Sequence, residues 1–228
     1  MSERPLHVVV REIERPDPGV VAALGEHGTA TVHEAIGARG FVGPDIRPIQ
    51  QGVRLAGPAV TVTSHPGDNL MVHAAVEVCR PGDVLVVTST APSSHGLFGE
   101  LLATSLQARG VRALVTDAGV RDTAELRAMG FAVWSRHVSV QGTVKATPGS
   151  VNVPVVLGGQ AVAPGDVVCA DDDGVVVVAR AEAARALERA RERVVREEAS
   201  RSRLAAGELG LDFYGLRAKL DQLGVEYR

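Results

Sequence analysis

Aromatic residues make up only 3% of this sequence. A core with so few rings has to be built from small and branched aliphatic side chains, and valine, alanine and glycine abound. Cysteine is almost as scarce: Cys79 and Cys169 both sit inside apolar runs. Two buried reduced thiols are expected, with a disulfide or a reactive thiol as the rival. No apolar run exceeds strand length, which excludes a membrane-spanning helix. The net charge is -3, so no basic excess marks a nucleic-acid partner. The start, MSERPLHVVVREIERPDP, carries acidic residues and lacks the apolar stretch of a secretory signal. A cytoplasmic α/β protein is expected. At 228 residues and 45% hydrophobic, it has material for one sizeable core or two small ones.

Residues 20–24 look helical, and Thr31-Val32-His33-Glu34 has the form of a capping box. Residues 55–64 (LAGPAVTVTS) read as a strand with a Gly-Pro interruption, and 69–79 as a helix. The signal then switches to short buried strands at 83–88 and 113–116, each followed by a helical period, over 99–109 and 122–129. Strand and helix thus alternate from about 55 to 135, the pattern of parallel strands joined by right-handed crossovers. Strands at 132–134, 153–157, 167–170 and 175–179 make a β-rich later third. Pro-Gly-Asp occurs at 66, 81 and 164 and reads as three turns. Asp171-Asp172-Asp173-Gly174 lacks the spaced ligands of a calcium loop and reads as a hairpin turn. From 181 a thin apolar line of Ala184, Leu187, Val194 and Val195 is too narrow for a core helix. The closing segment regains Leu211, Phe213, Tyr214, Leu216 and Leu220. The expected organisation is a main α/β domain over 1–180 and a helical arm over 181–228 that packs on a neighbouring subunit.

Glu100 opens one predicted helix and Asp122 the next, both after parallel-strand candidates. Both carboxylates therefore fall at the carboxyl edge of one sheet, where open α/β sheets place ligands. The N–H groups of Leu101 and Leu102 lie in a first helical turn, suited to a substrate carboxylate. Two carboxylates with waters suit Mg²⁺ or Mn²⁺, and Arg121 stands beside them. The competing reading makes Asp122 a helix cap and Glu100 a residue favoured by the helix dipole. Lys145 is either a carboxylate ligand or a solvated lysine. Asn69 is a helix cap or a ligand contact, and His73 is expected to be a core histidine. His33, His95 and His137 form no cluster with metal spacing.

Glu100, Arg121 and Asp122 fit the acidic-x20-Arg-Asp signature of the 4-hydroxy-4-methyl-2-oxoglutarate / 4-carboxy-4-hydroxy-2-oxoadipate aldolases, and the chain resembles that family well beyond it. TVHEAIG, GDNLMVHAAVE, GELLATSLQARGVRALVTDAGVRD, VSVQGTVKATPGSVNVPV, PGDVVCADDDGVVVV and LAAGELGLDFYGLRAKL carry the likeness over most of the length. The resemblance implies an RraA-like swivelling β/β/α layered fold, assembled as a homotrimer or homohexamer. It implies a divalent metal on Asp122, reached by Glu100 through water, and contact of Arg121 with substrate or enolate. It also implies a glutamate donated by an adjacent subunit, by position Glu197, with Glu198 as the near rival. Two departures stand out: the loop Pro92-Ser93-Ser94-His95-Gly96 lacks an acidic residue near His95, and Glu100 stands where the family often has aspartate.

The activity implied is class II pyruvate aldolase chemistry. 4-Carboxy-4-hydroxy-2-oxoadipate would be cleaved to pyruvate and oxaloacetate, or 4-hydroxy-4-methyl-2-oxoglutarate to two pyruvates, in aromatic (protocatechuate or gallate) degradation. Oxaloacetate decarboxylation is the expected side activity. The rival is a non-catalytic RraA-type ribonuclease regulator. A related lyase on another oxo acid is a third possibility.

Overall fold

The computed structural model describes residues 6–228; the first five residues of the polar start lie outside the described residues. Two compact units divide after Ala190. The first opens with α1 (Pro18–Leu24) and α2 (Thr29–Ala35), then the short strands β1 (Phe41–Val42) and β2 (Arg47–Pro48). β3 (Leu55–Ser64), α3 (Leu70–Val78), β4 (Val84–Ser89), β5 (Gly96–Phe98) and α4 (Glu100–Gln107) follow. Next come β6 (Ala113–Val120), α5 (Thr123–Ala128), β7 (Ala132–Val138) and β8 (Ser150–Val151). β9 (Val155–Leu157), β10 (Gln160–Val162), β11 (Val167–Ala170) and β12 (Val175–Val178) complete the strands. α6 (Ala183–Ala205) runs across the division, and α7 (Gly210–Phe213) and α8 (Leu216–Gln222) close the second unit.

β3 organises the first unit. The main sheet runs β1-β12-β11-β3-β4-β6-β7-β2, with β5 on β6 and β8 on β3. The first four residues of β3 pair antiparallel with β11 (Leu55 with Ala170, Pro58 with Val167). The remaining six pair parallel with β4 (Ala59 with Val84, Ser64 with Ser89). The strand changes partner at Gly57-Pro58. Proline has no N–H for a ladder, and a Cβ at Gly57 would stand 2.4 Å from the Gly82 carbonyl oxygen. The Gly-Pro interruption is thus the seam between an antiparallel part and a parallel part of one curled sheet.

Each face of that sheet has its own core. Val60, Val62, Leu85, Val87, Leu114 and Val133 meet α3, α4 and α5 through Val72, Leu102, Leu106 and Leu126. The opposite residues of the same strands pack with Trp134 against Val155, Leu157, Val162 and Val175. A third cluster joins α1 and α2 to β11, β12 and the first turns of α6. The period of two in the strands dictates this division. The α/β class and the layered arrangement expected from the sequence are what the chain forms. Cys79 and Cys169 are free and buried, and burial pushes both thiols up to about 12. The Asp171–Gly174 segment is the turn between β11 and β12. Among the described residues no helix is long and apolar enough to cross a membrane.

Several local expectations need correction. The helix near Thr31 begins at Thr29, so Thr31 caps nothing; Thr29 N–H and hydroxyl are instead held by the Asp171 carboxylate at 2.8 and 2.6 Å. His73 is exposed, so it is no core histidine. β6 and β7 run four residues beyond their expected ends, because β5 adds a partner along β6 (Gly96 with Gly119, Phe98 with Val120). The first turns of α6 are core: Ala183, Ala186, Leu187 and Ala190 are buried, while Ala184 is exposed. Alanines on that face let the helix sit close to β11 and β12, which a search for large apolar residues overlooks.

The second unit starts at Arg191. Along α6, Arg193 Nε lies 2.6 Å from Glu197 Oε1, and Glu192 and Arg196 stand 3.8 Å apart. Such exposed pairs contribute only a few tenths of a kcal/mol each, roughly. The Arg203 guanidinium covers the Phe213 ring at 4.3 Å. Val195, Leu209, Tyr214 and Leu223 stay exposed.

Candidate active site

β5, only three residues long, gathers the site. Its Gly96 N–H donates to Gln141 O at 2.9 Å, tying in the loop that carries Lys145. Leu97 O accepts from Asn69 Nδ2 at 3.0 Å. Phe98 O accepts from Arg121 N–H at 2.9 Å. The chain then turns through Gly99 into α4, whose first residue is Glu100. Asn69, Arg121, Glu100 and the 139–147 loop are thereby arranged around one short strand at the carboxyl edge of the sheet.

Asp122 has φ 54° and ψ 40°, left-handed for a non-glycine residue. Such a residue costs about 1 kcal/mol or more. The conformation turns its side chain away from its own helix. Among the described residues it makes no cap bond to α5. Its Oδ2 instead accepts from Glu100 N–H at 3.1 Å, so Asp122 caps α4. Gly99 is required by this approach, since a Cβ there would stand 2.3 Å from Asp122 Oδ2 and 3.0 Å from Arg121 Cγ. Arg121 Nε lies 3.7 Å from the same oxygen, and both side chains are about two-fifths exposed. Glu100 Oε1 accepts from Thr104 Oγ1 at 3.0 Å.

Leu101 and Leu102 follow in the first turn of α4, where backbone N–H groups have no intrahelical acceptor. The Leu102 side chain is buried, whereas Leu101 is 79% exposed. Asn69 precedes α3 but its side chain makes no cap bond among the described residues, so the expected cap is corrected to a brace on Leu97. Its Oδ1 is buried with no hydrogen-bond partner among the described residues, an acceptor that a substrate hydroxyl or water would satisfy. Lys145 is exposed; partial burial first, and the Lys145 charge second, lower the pKa of His73. Glu197 and Glu198 belong to α6 in the second unit.

A hard divalent ion is compatible with this donor set. Among the described residues no group of three or more His, Cys, Asp and Glu side chains could hold a metal. One chain offers at this edge the carboxylates of Asp122, which holds the Glu100 N–H, and of Glu100, which accepts from Thr104. Mg²⁺ typically takes one or two carboxylates and keeps several waters, whereas zinc takes three or four protein ligands.

Sequence reasoning passed over two acidic residues. Asp117, in β6, accepts from Ser89 N–H at 3.0 Å. Burial pushes its carboxyl above the usual value, against the pull of that N–H and of the Arg136 charge. Asp68 reads as part of a Pro-Gly-Asp turn, and its three backbone donors, the N–H groups of Leu70, Ala146 and Thr147, have no sequence signature.

Known proteins give the arrangement a context. The family described as RraA-like, Aldolase/RraA, matches residues 29–177. A Halalkalibacterium halodurans protein with the provisional name 4-hydroxy-4-methyl-2-oxoglutarate aldolase is 28% identical over 171 residues, 75% of this chain and 81% of that one. A Burkholderia multivorans protein with the same provisional name is 37% identical over 145 residues, 64% and 88% of the two chains. The crystal structure of Streptomyces coelicolor RraAS2, described as an unusual member of the RNase ES inhibitor RraA family, superposes with a TM-score of 0.74 at 31% identity. It is matched over 83% of this chain and 100% of its own.

Proposed function

This chain belongs to the RraA-like family, and we propose that it is a divalent-metal-dependent aldolase. Its substrate would be 4-carboxy-4-hydroxy-2-oxoadipate, cleaved to pyruvate and oxaloacetate, or 4-hydroxy-4-methyl-2-oxoglutarate, cleaved to two pyruvates. The observation that carries the reading is the junction of Arg121, Asp122 and the first turn of α4, where a guanidinium, the Asp122 carboxylate and the backbone N–H of Glu100 meet. Two relatives with aldolase names support it.

Asp122, with Glu100 behind a water, would hold Mg²⁺ or Mn²⁺, which when bound supplies positive charge at the 2-oxo and carboxylate oxygens. The N–H groups of Leu101 and Leu102 receive the substrate's C1 carboxylate, with the positive end of α4 behind them. Arg121 faces the oxygen on which charge develops. The C4 hydroxyl loses its proton and the C3–C4 bond breaks. Its electron pair leaves pyruvate as the enolate, and C4 becomes a carbonyl. The guanidinium stabilises that enolate oxygen through planar, directional N–H groups. Lys145 and Asn69 bind the outer carboxylate and hydroxyl groups. Glu197, with Glu198 as the near rival, would come from an adjacent subunit in a homotrimer or homohexamer and share with Glu100 the water that takes the C4 hydroxyl proton. Loss of carbon dioxide from oxaloacetate passes through the same enolate, so decarboxylation is the companion activity.

A ribonuclease-regulator reading is favoured by one observation, the description of the Streptomyces coelicolor relative as a member of an RNase inhibitor family. Pyruvate release from both candidate substrates, coupled to lactate dehydrogenase with and without a chelator, separates the two. Chelator-sensitive release establishes the aldolase. Its absence with every divalent ion tried leaves the regulator and a lyase on another oxo acid, separated by ribonuclease binding and a panel of oxo acids.

A further inference from the structure

Pro-Gly-Asp forms a turn three times, and in each the aspartate N–H returns to the carbonyl three residues earlier: Asp68 to His65, Asp83 to Arg80, Asp166 to Ala163. In two of them the carboxylate closes the same turn from the other side. Arg80 N–H donates to Asp83 Oδ2 at 2.7 Å, and Ala163 N–H to Asp166 Oδ2 at 2.8 Å. Asp68 departs from that pattern. Its side chain is completely buried, and Oδ1 accepts from Leu70 N–H at 2.8 Å, at the start of α3. Its Oδ2 reaches across the fold to Ala146 N–H at 2.8 Å and Thr147 N–H at 2.7 Å.

The same loop is fixed on its other flank. Val144 N–H donates to Gly67 O, and Asn69 N–H to Val144 O, both at 3.0 Å. Lys145 is the one residue between these attachments, and its side chain is exposed. Burial favours the neutral acid, but the N–H groups of Leu70, Ala146 and Thr147 outweigh it and hold the Asp68 carboxyl below its usual range. A fully buried carboxylate bridging two chain segments does more than a turn requires. We propose that Asp68 is a positioning residue whose buried carboxylate fixes the backbone beside Lys145 and the entry to α3, presenting Lys145 and Asn69 to the substrate. This rests on the reading that those two side chains grip the oxo acid; the clamp itself rests on the hydrogen bonds alone.

The sequence offers a clean probe, because its only lysines are Lys145 and Lys219. An endoproteinase that cuts after lysine should act on Lys145 slowly in the native wild-type protein. Asp68→Asn should speed that cut at least about tenfold, with the Lys219 cut as an unchanged internal control. The same variant should raise KM for the oxo acid more than it lowers kcat. Adding Asp68→Asn to Lys145→Ala should raise KM by a smaller factor than Asp68→Asn does in the wild type, since part of the clamp's effect passes through the lysine. An unchanged cut at Lys145 overturns the clamp, and fully additive effects in the double variant overturn positioning. If the wild-type protein releases no pyruvate, the aldolase reading falls while the proteolysis still decides the clamp. Should Asp68→Asn fail to fold, hydrogen exchange on the wild type decides: protected amides at Ala146 and Thr147 support the clamp, and free-loop rates overturn it.

Discussion

Asp122 caps the helix that Glu100 begins, not the helix that follows it: its Oδ2 takes the Glu100 N–H at 3.1 Å from a left-handed backbone. The two acidic residues of the candidate site are thus one mechanical unit. Asp122→Ala should remove pyruvate release, while the lost cap lowers stability by only about 1 kcal/mol. Asp122→Asn keeps an acceptor for the Glu100 N–H, so its melting temperature should stay closer to wild type with activity still absent. A variant that turns over at wild-type rate after chelation and Mg²⁺ readdition would refute the metal role.

Arg121→Lys keeps the charge and loses the planar fork. The Arg121 backbone is held on Phe98 independently of its side chain, so the fold should survive. Catalytic efficiency should drop at least about a hundredfold for both aldol cleavage and oxaloacetate decarboxylation, because both pass through the same enolate. Near-normal kcat/KM in both assays reduces Arg121 to a structural partner of Asp122.

The legible parts of this molecule were those with a local pattern. The run from Leu55 to Ser64 read as a strand because all of it is apolar or β-branched apart from Gly57, Pro58 and Ser64. The interval between Glu100 and Arg121-Asp122 placed one carboxylate on each of two successive helices. β5 stayed hidden because three residues after a Pro-Ser-Ser loop carry no period. The anchor of α2 was invisible for another reason: Thr29 is held by Asp171, 142 positions away. The buried face of α6 was missed because alanine reads as a helix former rather than as core. Asp68 looked like turn punctuation, and only the fold brings the Ala146 and Thr147 amides to it.

Asp117 supplies a stability test with a definite sign. Its carboxyl is held above the ordinary value by burial, so the charged form is disfavoured in the folded chain. For a raised carboxyl, the favourable contribution is present at low pH and is lost as pH rises through the folded pKa. Asp117→Asn keeps an acceptor for the Ser89 N–H and removes the charge. Its melting temperature should exceed wild type at pH 7, and the gain should vanish near about pH 3.5, where the wild-type carboxyl is protonated. A variant less stable than wild type at pH 7 would show that the Arg136 charge outweighs burial.

The last expectation concerns assembly. Val195, Leu209, Tyr214 and Leu223 are exposed in the second unit, a hydrophobic load that a monomer would leave in water. A closed ring of subunits gives each such arm the same cover, without an undocked end. If Glu197 on α6 serves the Asp122 of an adjacent subunit, Asp122→Ala and Glu197→Ala damage different halves of one site. Each variant alone should be inactive. Co-expressed at equal levels, they should regain about one quarter of wild-type activity, the share of interfaces in which an intact Asp122 meets an intact Glu197 when subunits mix at random in a ring. Native mass spectrometry establishes that mixing has occurred. Mixed rings with no recovered activity would overturn the shared site, as would a fully active chain that sediments as a monomer.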